Sequence, residues 1–89
     1  KVGAVTLMEI RYSYKAEDDL SGLSKDVQKR IAKKMRFYAS VPDPLKFAER
    51  LTDSREGEFR FRIGDWRLPF DIQGGKIFIL RVKHRSKAY

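Results

Sequence analysis

The sequence predicts an α+β domain: an N-terminal strand, a helical hairpin, then an antiparallel three-strand meander, forming one sheet with the helices on one face. Three observations predict it. Apolar and polar side chains alternate over residues 8–14, apolar residues recur every three or four positions over 16–40, and alternation returns from residue 58 onward. At 89 residues the chain is too short for two independent cores.

Each element has its own local signal. Residues 1–7 read as an N-terminal extension ahead of a native start at Met8, and residues 8–89 as the single domain. Met8, Ile10, Tyr12 and Tyr14 alternate with Glu9, Arg11 and Ser13, the pattern of a half-buried strand ending near Lys15. Leu20, Leu23, Val27, Ile31, Met35 and Tyr38 then trace one helical face, with Lys25, Lys29, Arg30, Lys33, Lys34 and Arg36 opposite. Gly22 interrupts this pattern and Ser24 suits an N-cap, so a short helix near 16–20 and a long one near 25–39 are expected. Pro42 and Pro44 stop the long helix, and Asp43-Pro44 opens a short helical turn through Leu51. Thr52 to Gly57 is a polar loop. Phe59, Phe61 and Ile63 then alternate with Arg60 and Arg62, and Gly64-Asp65 turns the chain. The next arm sets Trp66, Leu68, Phe70 and Ile72 against Arg67, Pro69 and Asp71. Gly74-Gly75 leads into the last strand, residues 76–84.

Composition excludes several chemistries. Without cysteine there is no disulfide framework, thiol nucleophile or Cys-ligated metal, and one histidine is too few for a His-rich metal site. No metal and no cofactor are expected, and the cytoplasm is the default compartment. With 42% apolar residues the chain folds rather than staying disordered, yet no apolar run nears the roughly 20 residues that span a bilayer.

The net charge of +8 points to a polyanionic partner, and it is unevenly placed. Residues 1–59 carry twelve basic and ten acidic side chains; residues 60–89 carry eight and two. Strand parity allows Arg60, Arg62, Arg67, Arg81, Lys83 and Arg85 to share one open sheet face opposite the apolar set. Such neighbours repel unless an anion binds, and the guanidinium fork matches phosphate oxygens. The competing reading is a solvated face that guards against edge pairing. Tyr89 by position alone reads as a packed chain end. His84 shares parity with Phe78, Leu80 and Val82 and so reads as core-facing. Trp66 and Phe59 read as packing under the helices, which weakens an aromatic stacking platform.

Two segments carry a more specific signature: Phe59-Arg60-Phe61-Arg62-Ile63-Gly64-Asp65-Trp66-Arg67, and Ile79-Leu80-Arg81-Val82-Lys83-His84-Arg85-Ser86-Lys87-Ala88-Tyr89. In these, and across nearly all of residues 8–89, the chain resembles the RelE/ParE superfamily of type II toxins, with the RelE-like branch favoured. The resemblance implies the RelE-like, microbial ribonuclease-type fold. It also implies a ribosome-dependent endoribonuclease that cleaves mRNA in the A site without metal, by driving a ribose 2′-OH onto the adjacent phosphate. Arg60 and Arg62 would stand at the two basic strand positions, Arg67 at the phosphate-gripping position, Lys83 or Arg85 at the late-strand cation and Tyr89 at the terminal tyrosine. Arg81, His84 and Lys87 would add RNA contacts.

The chain departs from the family pattern in two places. Arginine replaces lysine at the strand positions and is a poor general base, leaving Tyr89, Lys83 and His84 as candidates in that order. Pro69 falls inside the middle meander strand, where it predicts a bulge or break. Two alternatives remain: a ParE-like inhibitor of DNA gyrase, and a non-catalytic RNA- or ribosome-binding module. In either toxin case the resemblance implies an acidic, RelB-like antitoxin in a hetero-oligomer, and no membrane partner.

Overall fold

The computed structural model describes residues 8–53 and 55–87; residues 1–7 and Tyr89 of the expectations above lie outside them. The α+β architecture is as expected, but the sheet has six strands rather than four. They are β1 (Glu9–Tyr12), β2 (Ala48–Arg50), β3 (Phe59–Ile63), β4 (Trp66–Gln73), β5 (Lys76–Ile79) and β6 (Lys83–His84). The order is β1-β5-β4-β3-β2, with β6 following β5 along the same side of β4. β1 pairs with β5 in parallel and every other pairing is antiparallel.

The helices are α1 (Tyr14–Ser21) and α2 (Lys25–Ser40). The alternation through Tyr14 suggested a longer first strand. Ser13 overrides it: its hydroxyl accepts from Ala16 N at 3.0 Å and donates to the Leu80 carbonyl at 2.8 Å. The helix therefore starts one residue later, and Tyr14 is exposed rather than strand-buried. Ser24 caps α2 as its position suggests, accepting from Val27 N.

Ile31, Met35 and Tyr38 of α2 are buried against Phe61, Ile63, Leu68, Phe70, Ile77 and Ile79 of the sheet. Tyr38 stacks on Phe61 at 4.1 Å between centroids, and Phe61 on Phe70 at 4.4 Å. Gly57 is needed beneath this stack. It has φ +140°, and a Cβ there would meet the Phe70 carbonyl and a Leu80 methyl at 3.1 Å.

Pro44 opens a 3-10 turn over Pro44–Phe47 as expected, but the helical turn does not run on through Leu51. The chain extends into β2, because the exposed edge of β3 offers backbone partners: Ala48 to Arg50 pair with Phe61 to Phe59.

Pro69 does not break β4, which runs unbroken from Trp66 to Gln73. The interruption lies on its neighbour. Ile79 pairs with Phe70 and Lys83 with Arg67, so three residues, Leu80 to Val82, face only Leu68 and Pro69. Pro69 offers this side its carbonyl, which accepts from Leu80 N at 2.9 Å, but it has no N–H to continue the ladder. The extra residue reverses side-chain parity. Ile77 and Ile79 face the core in β5, contrary to the expected Phe78 and Leu80, whereas Val82 and His84 lie on the core side after the bulge.

Candidate functional site

The bulge decides which cations meet. Arg62 stands opposite Arg67, and Arg67 opposite Lys83, so three cationic residues form one row across β3, β4 and β6 on the face away from the helices. Neighbouring strands are about 5 Å apart, so the row is closely spaced. Arg60 lies on the same face, opposite Pro69.

Each member is held differently. Glu49, brought alongside by β2, accepts from Arg60 at 3.1 Å and from Arg62 at 3.4 Å. Arg62 stays largely exposed while Arg60 is mostly covered. Arg67 is only 3% exposed. Its Nη1 donates to the Gly64 carbonyl at 2.8 Å and the Trp66 carbonyl at 3.0 Å, clasping the β3–β4 turn. Among the described residues Arg67 has no carboxylate partner, and its buried Nε–H has no acceptor. A guanidinium taken out of water without a counter-charge is costly, and an anion docked against it offsets that cost. Lys83 has no ion pair among the described residues.

The expectation of six cations on one open face needs correction for Arg81, Arg85 and Arg67. Arg81 falls in the bulge and turns to α1, where Asp19 accepts from its Nε at 2.8 Å and its Nη2 at 3.1 Å, and from Val82 N at 2.9 Å. The Arg81 hydrogen bonds chiefly hold the Asp19 carboxyl below the usual range, against a smaller opposing effect of burial. Arg85 leaves the sheet at a 3-10 turn over Arg85–Lys87 and returns to the β3–β4 turn. There its N–H donates to the Asp65 carbonyl at 2.7 Å, and its guanidinium lies 3.5 Å from the Asp65 carboxylate. Arg67 is on the face but sealed rather than open.

His84 lies on the core side of β6, edge-on to Trp66 at 5.2 Å, with Nδ1 2.9 Å from the Ser86 hydroxyl. Lys87 is exposed nearby. Trp66 and Phe59 pack against the core as expected. The sequence reading missed Glu49 and Asp19, the two carboxylates that set the cations in place; Glu49 was hidden in a segment read as helical. Among the described residues no group of three or more His, Asp or Glu is placed to hold a metal ion, and no helix is long and apolar enough to cross a membrane. An exposed Arg62 and a Lys83 on either side of a sealed guanidinium suit the grip of a phosphate, with the charge of Arg67 adding to the field on the charge that builds during displacement.

Comparison with known proteins gives this arrangement a context. The family model described as ParE toxin of type II toxin–antitoxin system, parDE, matches residues 10–89. No curated protein sequence matches the chain. Among solved structures, a chain of the toxin–antitoxin complex RelBE2 from Mycobacterium tuberculosis is 26% identical with a TM-score of 0.73, covering 90% of this chain and 100% of that one. A chain of the archaeal RelE-RelB complex from Pyrococcus horikoshii is 23% identical with a TM-score of 0.71, covering 93% and 100%. A chain of the chromosomal ParDE system from P. aeruginosa is 17% identical with a TM-score of 0.69, covering 88% and 96%. The last two likenesses speak for the fold alone.

Proposed function

This chain belongs to the ParE toxin family of type II toxin–antitoxin systems, within the RelE/ParE superfamily, and from that premise we propose that it is a ribosome-dependent mRNA endonuclease. The observation that carries this reading is Arg67, buried without a counter-charge in a row between Arg62 and Lys83. In the proposed reaction a ribose 2′-oxygen bonds to the adjacent phosphorus and the 5′-oxygen of the next nucleotide leaves. The 2′-OH gives up its proton and the leaving oxygen takes one. Arg62, the exposed member of the row, holds the non-bridging oxygens, and the charge of Arg67 sealed beside it helps offset that of the pentacoordinate state. Lys83, within the row, is better placed for proton transfer than His84, which lies on the other side of the sheet. Tyr89 remains a proposed participant on the resemblance alone.

Supporting partners follow from the same reading. The solved complexes pair RelE with RelB, and an acidic antitoxin of that kind would neutralise the +8 charge of this chain in a cytoplasmic hetero-oligomer. The test is primer-extension mapping of transcripts on ribosomes given the purified toxin. Cleavage that disappears with Arg67→Ala is expected; uncut transcripts overturn the proposal.

One observation favours a second reading, inhibition of DNA gyrase without catalysis. Glu49 holds both Arg60 and Arg62, and the Arg67 fork is partly spent on backbone carbonyls, as in a face built for shape rather than turnover. A supercoiling assay with purified gyrase separates the two: loss of supercoiling with transcripts intact selects the second.

A further inference from the structure

The outer face of α2 points away from the sheet and has no part in the cation row, which lies on the sheet's other face. α2 carries six basic side chains and a single carboxylate, Asp26, and all seven are exposed. None of the six cations has an ion pair among the described residues. At the C-terminal end of this face the charge gives way to two aromatic rings. Phe37 is 42% exposed and Phe47, brought alongside by the 3-10 turn, is 46% exposed. They meet edge to face with centroids 5.2 Å apart. Between the charge and the rings, Arg30, Lys33, Lys34 and Phe37 line a shallow cleft of about 350 Å³. Its walls are hydrocarbon, the stems of three long side chains and one ring, and its rim is cationic.

We propose that this face lies on an anionic lipid bilayer, with Phe37 and Phe47 entering the headgroup boundary and the α2 cations set against the lipid phosphates. Charge alone attracts any polyanion; the rings decide which one. A nucleic-acid base stacks on a flat, open ring face, but Lys34 Nζ already sits over the Phe37 ring at 5.5 Å and Phe47 meets it edge to face. Two half-exposed rings without a polar atom, beside side chains whose stems bury while their heads stay wet, match the boundary between headgroups and acyl chains. Anionic lipid adds about fivefold in affinity for each cation near its surface. No helix among the described residues is long and apolar enough to cross a membrane, and lying on one requires no such helix. Such seating departs from the absence of a membrane partner that the family resemblance implies. It is also independent of the nuclease reading, because a chain seated through α2 keeps the Arg62–Arg67–Lys83 row turned away from the lipid.

The purified chain is floated with vesicles of phosphatidylcholine alone and with vesicles containing about a third phosphatidylglycerol. Binding to the anionic vesicles at least ~10-fold stronger than to the neutral ones is expected, weakening as salt rises. Lys29→Ala combined with Lys33→Ala, both at exposed positions, should weaken it at least ~10-fold, whereas Arg62→Ala on the other face should change it by less than about twofold. Phe37→Ser combined with Phe47→Ser should weaken vesicle binding about tenfold and leave RNA affinity unchanged. Those two changes also remove ring contacts to Tyr38, so Phe37→Trp, which keeps an aromatic ring, gives a second measurement. Its emission should be quenched by lipids brominated near the headgroup more strongly than that of wild-type Trp66. Equal binding to neutral and anionic vesicles, an Arg62→Ala loss as large as that of the lysine pair, or a Phe37→Trp emission that brominated lipid leaves untouched each overturns the proposal. Loss of RNA affinity in equal measure when the rings are removed makes this a nucleic-acid surface and overturns it too.

Discussion

The outer face of α2 and the outer face of the sheet are both basic, and they use the charge in opposite ways. Lys25, Lys29, Arg30, Lys33, Lys34 and Arg36 are all exposed, and none has an ion pair among the described residues. Lys34 alone is directed, over the Phe37 and Tyr38 rings at 5.5 and 5.8 Å. On the sheet, Glu49, the Gly64 and Trp66 carbonyls, and Asp65 each fix an arginine. The helix supplies long-range attraction for a polyanion; the sheet supplies positioned donors. Net charge locates the first and says nothing about the second, because steering depends on charge number while recognition depends on preorganised geometry.

Arg67→Ala should show the largest difference between the two faces. Transcript cleavage should fall at least ~100-fold, the scale of losing one preorganised donor, whereas Lys33→Ala should change the cleavage rate at saturating ribosome by less than about twofold. Single-turnover cleavage assays decide it, and equal losses would erase the distinction between steering and positioning.

Asp19→Asn loosens the bulge that separates Arg81 from the row. Hydrogen bonds to a charged group are worth about 1.5–3 kcal/mol, and in a domain of this size each kcal/mol lowers Tm by roughly 4–8 °C. The folded Asp19 carboxyl titrates below its unfolded value of about 3.9. Its contribution is therefore complete above that pH and is lost as the pH falls through the folded pKa. The stability gap between wild type and Asp19→Asn should be widest near pH 7 and should narrow on acidification, as thermal melts across pH 2–7 will show.

Glu49→Gln sharpens the comparison in the other direction by making the sheet more like the helix. A partly exposed pair contributes only about 0.2–1 kcal/mol, so Tm should fall by a few degrees at most. RNA affinity should rise and its salt dependence steepen, measured as the slope of log affinity against log salt. Lys33→Ala and Arg36→Ala, the smallest case, should leave stability within about 0.5 kcal/mol while slowing association at low salt.

The local elements were legible because their signals are short-range. The buried stripe of Ile31, Met35 and Tyr38, the Ser24 cap, and the Phe59–Ile63 and Trp66 arms joined at Gly64-Asp65 all follow from spacing within a few residues. The Ser13 cap was in reach too, but its alternating neighbours outweighed it. β2 was not legible, since three residues become a strand only when a sheet edge is beside them.

The sequence by itself determined that a basic meander would back onto a helical hairpin, and that Arg62 and Arg67 would share a face across a tight turn. Tertiary structure decided which of the other cations that parity allows do join them. Pro69 withholds one N–H, the neighbouring strand takes up an extra residue, and from there Lys83 faces the row, His84 faces the core and Arg81 turns to a carboxylate 62 positions away. Parity is a local rule, but it holds only as far as the register does. Register is set by partners that lie distant in the chain.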